Sequence, residues 1–160
     1  MVVRPLIRYL LLLVAGLLLA GTAQACFGPK LYLGTNDDPR SQVLASLVAI
    51  YVQEKTGVEV VRQPLAATAP IAAIRADTID FAFTAVPEDM PILLQIEGVP
   101  ALVSGSRILE DLQFTTVRPA LQRLAGQLTP GQVSTLVAAV DAGGLPMDVA
   151  RRFLRNAGWI

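Results

Sequence analysis

Thr35, Asn36 and Asp37 stand between a short strand-like run, Lys30 to Thr35, and a long apolar stretch that opens at Asp38-Pro39. Hydroxyl, amide and carboxylate groups at that junction could hold a small polar solute. Free N–H groups and the dipole at a helix start favour a carboxylate or another anion there. Asp37 and Asp38 would repel such a group unless they only cap the helix, the role for which Asp38 is well suited. Thr84 closes a later strand and would face the same crevice in a parallel sheet, because ligands in such sheets sit beyond the carboxyl ends of the strands. Phe83 precedes it. Phe81 and Phe83 share a strand face and read first as a core stripe, with Phe83 the candidate for a site wall.

Catalytic chemistry has little to draw on. The chain has no histidine, which removes a His-based triad, a His–metal site and a His acid/base. The acidic pairs Asp37/Asp38, Glu88/Asp89 and Glu110/Asp111 fall in turns or strand ends, where carboxylates are ordinarily solvated or capping. Cys26 has no base within sequence reach to activate it. No glycine-rich phosphate loop follows a strand, and Gly143-Gly144 lies between helical runs as a stop signal. The expectation is a protein with no catalytic residue, no metal site and no cofactor.

Hydrophobic residues make up 53% of the chain, and much of that share is concentrated at the start. Arg4 and Arg8 precede the apolar run Leu10 to Leu19, and Ala23-Gln24-Ala25 supplies a small-x-small cleavage pattern. This reads as a secretory signal peptide over residues 1–25, cut after Ala25, and it implies an exported, periplasmic protein. The run is too short for a membrane span, which takes about 20 residues. Cys26, the only cysteine, would then come first and cannot form an internal disulfide. A lipid anchor on Cys26 is the alternative, but Ala23 and Gln24 fit the AxA pattern better than a lipobox. Without Arg4 and Arg8 the acids outnumber the bases by two. No basic stripe with interleaved aromatics is present, so nucleic acid is not an expected partner.

The elements that must position these groups follow in order. Asp38 and Pro39 open a long helix and Gly57 stops it. Val58 to Leu65 reads as a strand, Ala66 to Asp77 contains a short helix with Thr68 as its cap, and Ile79 to Val86 alternates as a strand. That rhythm gives an α/β fold: a doubly wound, mainly parallel sheet in a three-layer αβα arrangement. Residues 87–105, rich in proline and glycine, read as an irregular connection or a bent pair of strands, and Pro91 to Glu97 as strand or helix. Arg107 to Phe114 is expected to add an edge strand. Three helical runs close the chain. Ala120 to Ala125 is ended by Gly126, the next opens with the capping box Thr129-Pro130-Gly131-Gln132, and the last begins at Pro146. In that last helix Val149, Phe153 and Leu154 face the core, and Trp159-Ile160 are expected to fold back onto the sheet.

The tail carries a resemblance. Pro119-Ala120-Leu121, Leu124 to Thr129, Val140-Asp141, Asp148 to Arg151, Phe153-Leu154 and Asn156-Ala157-Gly158 resemble the end of the substrate-binding proteins of ABC importers for glycine betaine and choline. Lys30 to Gly57 resembles that family's first strand and helix, and IRADTID (Ile74 to Asp80) its helix-to-strand junction. The resemblance implies one lobe of a periplasmic-binding-protein-like fold over 26–160 and an ABC permease of the inner membrane as partner. It also implies a small polar solute as ligand. Family members normally have two lobes and close to twice this length, so the second lobe would be missing or reduced to 87–105. A quaternary ammonium is held by aromatic faces, and the family's tyrosine-bearing segment is not matched at Asp80 to Thr84. Two readings follow: a one-lobe solute-binding protein, or a lobe that docks to a permease or to itself without capturing solute. A homodimer would pair two half-sites. Cleavage after Ala25 predicts that intact-mass analysis of the exported protein finds an unmodified Cys26 as first residue; a lipidated Cys26 in the membrane fraction would contradict it.

Overall fold

The computed structural model describes residues 28–66 and 69–160. The leader, Ala25, Cys26 and the expected cap Thr68 lie outside the described residues. Strand β1 (Lys30–Thr35) leads into helix α1 (Pro39–Thr56). Asp38 adopts an extended backbone and its carboxylate accepts the Ser41 N–H at 2.9 Å, with Pro39 in the first turn where no N–H is missed. Gly57, at φ 75°, ends the helix in the left-handed region and donates its N–H to the Gln53 carbonyl. Strand β2 (Glu59–Pro64) then lies parallel to β1 over its whole length, from Lys30 opposite Glu59 to Thr35 opposite Pro64.

Every residue of α1 from Val43 to Val52 is buried. A helix apolar on all sides needs cover on all sides, and the chain supplies it from both ends. Beneath lie β1 and β2. Around it pack α4 (Val117–Gln127), α5 (Pro130–Asp141) and α6 (Pro146–Asn156). The polar member of the buried stretch, Ser46, donates to the Gln42 carbonyl at 2.7 Å and accepts from Arg62 Nη1 at 2.8 Å. The capping box of α5 is formed on both sides, Gln132 N–H to Thr129 Oγ1 and Thr129 N–H to Gln132 Oε1.

Helix α2 (Pro70–Arg75) covers the other sheet face, where Ile74 packs with Ile79 and Ala82. Strand β3 (Phe81–Thr84) runs parallel to β1, β5 (Ala101–Ser104) runs antiparallel to β3, and β4 (Ile92–Leu94) pairs antiparallel with β5. The sheet order is β2-β1-β3-β5-β4. Four strands therefore share one direction and β5 alone reverses. The architecture is a three-layer α/β fold with a mainly parallel sheet.

Of the two readings of residues 87–105, the bent pair of strands is the one formed, since β4 and β5 make a bulged antiparallel pair there. Two expectations need correction. Arg107 to Phe114 is no edge strand: it forms α3 (Arg107–Glu110) and a 3-10 turn (Leu112–Phe114). The burial explains this, since Ile108 and Phe114 are sealed while Leu112 is 84% exposed, a spacing that one face of a strand does not provide. Gly126 does not end its helix, which runs on to Gln127 before Leu128 turns into the core. Trp159 packs edge-to-face on Phe153 of α6, with ring centroids 5.3 Å apart, and both Trp159 and Ile160 pack against the core cluster that holds the strand residues Leu31 and Leu33.

The reversal at β5 is anchored by Asp80, 6% exposed just before β3. Its Oδ2 accepts the Tyr32 N–H at 2.6 Å, and its Oδ1 takes Arg107 Nη1 at 2.9 Å. Its own N–H donates to the Tyr32 carbonyl and its carbonyl accepts the Gly105 N–H. Arg107 also reaches the Lys30 carbonyl and lies over the Phe114 ring, 5.0 Å from its centroid. One residue, through its carboxylate and its backbone, thus joins β1, β3, the end of β5 and α3. Replacing Asp80 with Ala leaves the Tyr32 N–H and the Arg107 guanidinium without it. The expected destabilisation is about 2–3 kcal/mol, read from urea denaturation; a loss below about 0.5 kcal/mol, the usual range for a surface substitution, would contradict the anchoring role.

Candidate functional site

At the carboxyl ends of β1 and β3 the sheet opens into a cavity of about 160 Å³. Thr35 and Asn36 enter it from the end of β1, Ser41 from the first turn of α1, and Phe83 and Thr84 from β3. Leu65, Ala66 and Pro70, from the connection between β2 and α2, close the remaining side. Four of the five residues expected to bind ligand, Thr35, Asn36, Phe83 and Thr84, are brought together here. Asp37 does not line the cavity; it is exposed beside it.

The floor of the cavity is held by its own hydrogen bonds. The Thr35 and Ser41 hydroxyl oxygens lie 3.3 Å apart, and the Asn36 N–H donates to Ser41 Oγ at 3.4 Å. The Asn36 carbonyl accepts from Gln42 Nε2 at 2.6 Å, and its side-chain oxygen accepts the Asp38 N–H at 3.1 Å. This Asx turn feeds straight into the Asp38 cap. Among the described residues, the Asn36 side-chain nitrogen and the Thr84 hydroxyl have no protein partner, so a donor and a hydroxyl remain available to a solute. No lysine, arginine or carboxylate lines the cavity; Asp37, Asp38 and Arg40 lie in the segment between the lining residues Asn36 and Ser41. Such surroundings suit a zwitterion or a cation better than a lone anion.

Sequence reasoning did not name Ser41 or the β2–α2 wall. Ser41 was within reach of that reasoning, since the third residue of a helix capped by Asp38 must sit over the loop before it. Leu65 and Pro70 depend on how the β2–α2 connection folds back, which no local pattern encodes. A larger opening, about 600 Å³, lies at the amino end of β3 between α2 and the β4–β5 pair. Its walls mix the carboxylates of Asp77 and Glu88 and the Arg75–Asp89 ion pair at 2.9 Å, both partners more than half exposed, with apolar Ile74, Met90 and Leu109 and the buried Ser104 hydroxyl, which has no partner among the described residues. It is at the wrong end of the parallel strands for a ligand crevice. Among the described residues, no group of three or more acidic or cysteine side chains is placed to hold a metal ion.

No family model matches the sequence, and no curated protein matches it. The fold does find a match. A solved crystal structure of a glycine betaine/carnitine/choline ABC transporter superposes with a TM-score of 0.57 at 10% identity, over 82% of this chain and 99% of that chain. The relationship is one of fold, and it is distant. The coverage also means that the two chains are similar in length, so the near-double length expected of a two-lobed relative does not apply to this neighbour.

Gly34 lets the cavity close against the sheet. A Cβ there would stand 2.5 Å from Leu65 Cδ1 and 2.6 Å from Ile79 Cδ1. Both are ends of flexible side chains, so Gly34→Ala should fold while forcing them to shift, at about 1–3 kcal/mol. Urea denaturation reads that loss; a variant as stable as the parent would show that the approach is looser than described.

Proposed function

We propose that this is an exported solute-binding protein related to those of ABC importers for glycine betaine and choline, acting in transmembrane transport. The observation that carries the reading is the convergence of Thr35, Asn36, Ser41, Phe83 and Thr84 on one cavity at the carboxyl ends of parallel strands. The distant fold match to a transporter of that class supports it. Phe83 offers a ring face to a quaternary ammonium, the Asn36 amide and the Thr84 hydroxyl meet polar groups of the solute, and Asp37 adds negative charge beside the site. The cavity is open, so the opposite wall comes from a partner: the membrane permease or a second copy of the chain.

A second reading is favoured by the aromatic content of the site. Only Phe83 among the residues lining the cavity is aromatic, where a caged quaternary ammonium needs several ring faces. On that reading the lobe docks to a permease or to itself and captures no solute.

Calorimetric titration of the purified protein with glycine betaine, choline and carnitine separates the two. Saturable heat is expected with at least one of them. Phe83→Ala should weaken it by about 0.5–2 kcal/mol, which is about two- to thirtyfold in affinity. No heat with any of the three would end the solute reading for this class and leave the docking one.

A further inference from the structure

A second cavity, about 260 Å³, lies between the last turns of α1 and the start of α4, on the helical layer and away from the sheet crevice. Tyr51 forms its inner wall and is only 1% exposed, yet its phenol oxygen has no hydrogen-bond partner among the described residues. Nor is that oxygen sealed in the core, so it opens on the cavity. A hydroxyl with no protein partner that faces a cavity is free to bond a ligand that enters.

What surrounds it is almost all donor. Lys55 extends over the Tyr51 ring, its Nζ 5.8 Å from the centroid, and Arg123 of α4 also lines the cavity; both cations are exposed. Neither cation has a carboxylate within ion-pair distance among the described residues. Thr116 is the cap residue of α4, but its side chain bonds no helix N–H, and no acid occupies the first turn. The Thr116 hydroxyl is therefore without a partner among the described residues, whereas Pro119 has no N–H and the Ala120 N–H is taken by the Thr116 carbonyl at 3.3 Å. Burial pushes the Tyr51 phenol above its ordinary pKa, with the Arg123 guanidinium pulling the other way. The phenol keeps its proton at neutral pH and serves as a donor.

From the unpartnered Tyr51 and Thr116 hydroxyls and from Lys55 and Arg123, which have no carboxylate partner among the described residues, we infer that this cavity is a binding site for a small oxyanion, a phosphate or a phosphate-like headgroup. An acceptor-only ligand with several oxygens answers donors arriving from three directions, and a guanidinium beside a hydroxyl suits a phosphate group. This site does not depend on the solute reading of the sheet crevice, from which it differs in element, charge and lining.

The test is calorimetric titration of the purified protein with inorganic phosphate at constant ionic strength, beside co-sedimentation with vesicles of phosphatidylglycerol in phosphatidylcholine. Saturable phosphate binding with a Kd of about 1 mM or tighter is expected. Tyr51→Phe, which removes one oxygen and keeps the ring, and Arg123→Gln should each weaken it about tenfold. If the physiological source is a lipid headgroup, vesicle binding appears as well and falls in the same two variants. The inference is overturned if neither phosphate nor vesicles bind, or if binding is unchanged in both variants. Retained thermal unfolding temperature in Tyr51→Phe separates a lost bond from a lost fold.

Discussion

Helix α1 has no polar side along its middle, from Val43 to Val52, and it cannot stand at a surface. Each of its buried Leu, Val and Ile side chains contributes about 1.5–3 kcal/mol only when fully covered, so the helix is stable only as the centre of a larger arrangement. The strands before and after it provide one side. The three C-terminal helices, the first beginning at Val117, 61 residues beyond Thr56, must return to provide the others. This requirement turns the end of the chain into part of the same core as its beginning. It also fixes the amino end of α1 in space. The turn from Asn36 to Gln42, whose bonds shape the sheet crevice, is thereby presented on a rigid element rather than on a free loop.

The sheet completes itself on the far side by a reversal. After β3 the chain makes the β4–β5 pair, and β5 returns antiparallel beside Phe81 to Thr84. Asp80 sits where this reversal meets β1, and its bonds to Tyr32, Gly105 and Arg107 take up backbone and charged groups that the short β3 cannot reach. An ordinary parallel sheet would have placed another crossover helix here. The antiparallel return leaves the carboxyl ends of β1 and β3 uncovered, and the crevice with Phe83 and Thr84 lies in that uncovered zone.

Much of this was legible in the residues. Asp38-Pro39 and Gly57 marked the limits of α1 because capping chemistry is local, and Thr129 to Gln132 did the same for α5. The strands β1, β2 and β3 announced themselves by alternation and by the breaks around them. The segment from Arg107 to Phe114 did not. Its apolar residues suit a strand on paper, but the Asp80–Arg107 pair and the burial of Ile108 and Phe114 decide its shape, and those are contacts between residues distant in sequence. At the crevice, Thr35, Asn36, Phe83 and Thr84 followed from the rule for parallel sheets. Leu65 and Pro70 were hidden, because the fold of the β2–α2 connection places them.

The central claim is that a small solute binds at the carboxyl ends of β1 and β3. Amide chemical-shift mapping by two-dimensional NMR, during titration with glycine betaine, tests it most directly. The account predicts shifts concentrated at Gly34 to Ser41 and Ala82 to Thr84, with Tyr51 and Arg123 unmoved. Shifts confined to the opposite end of the sheet, around Asp77 and Asp89, would contradict it.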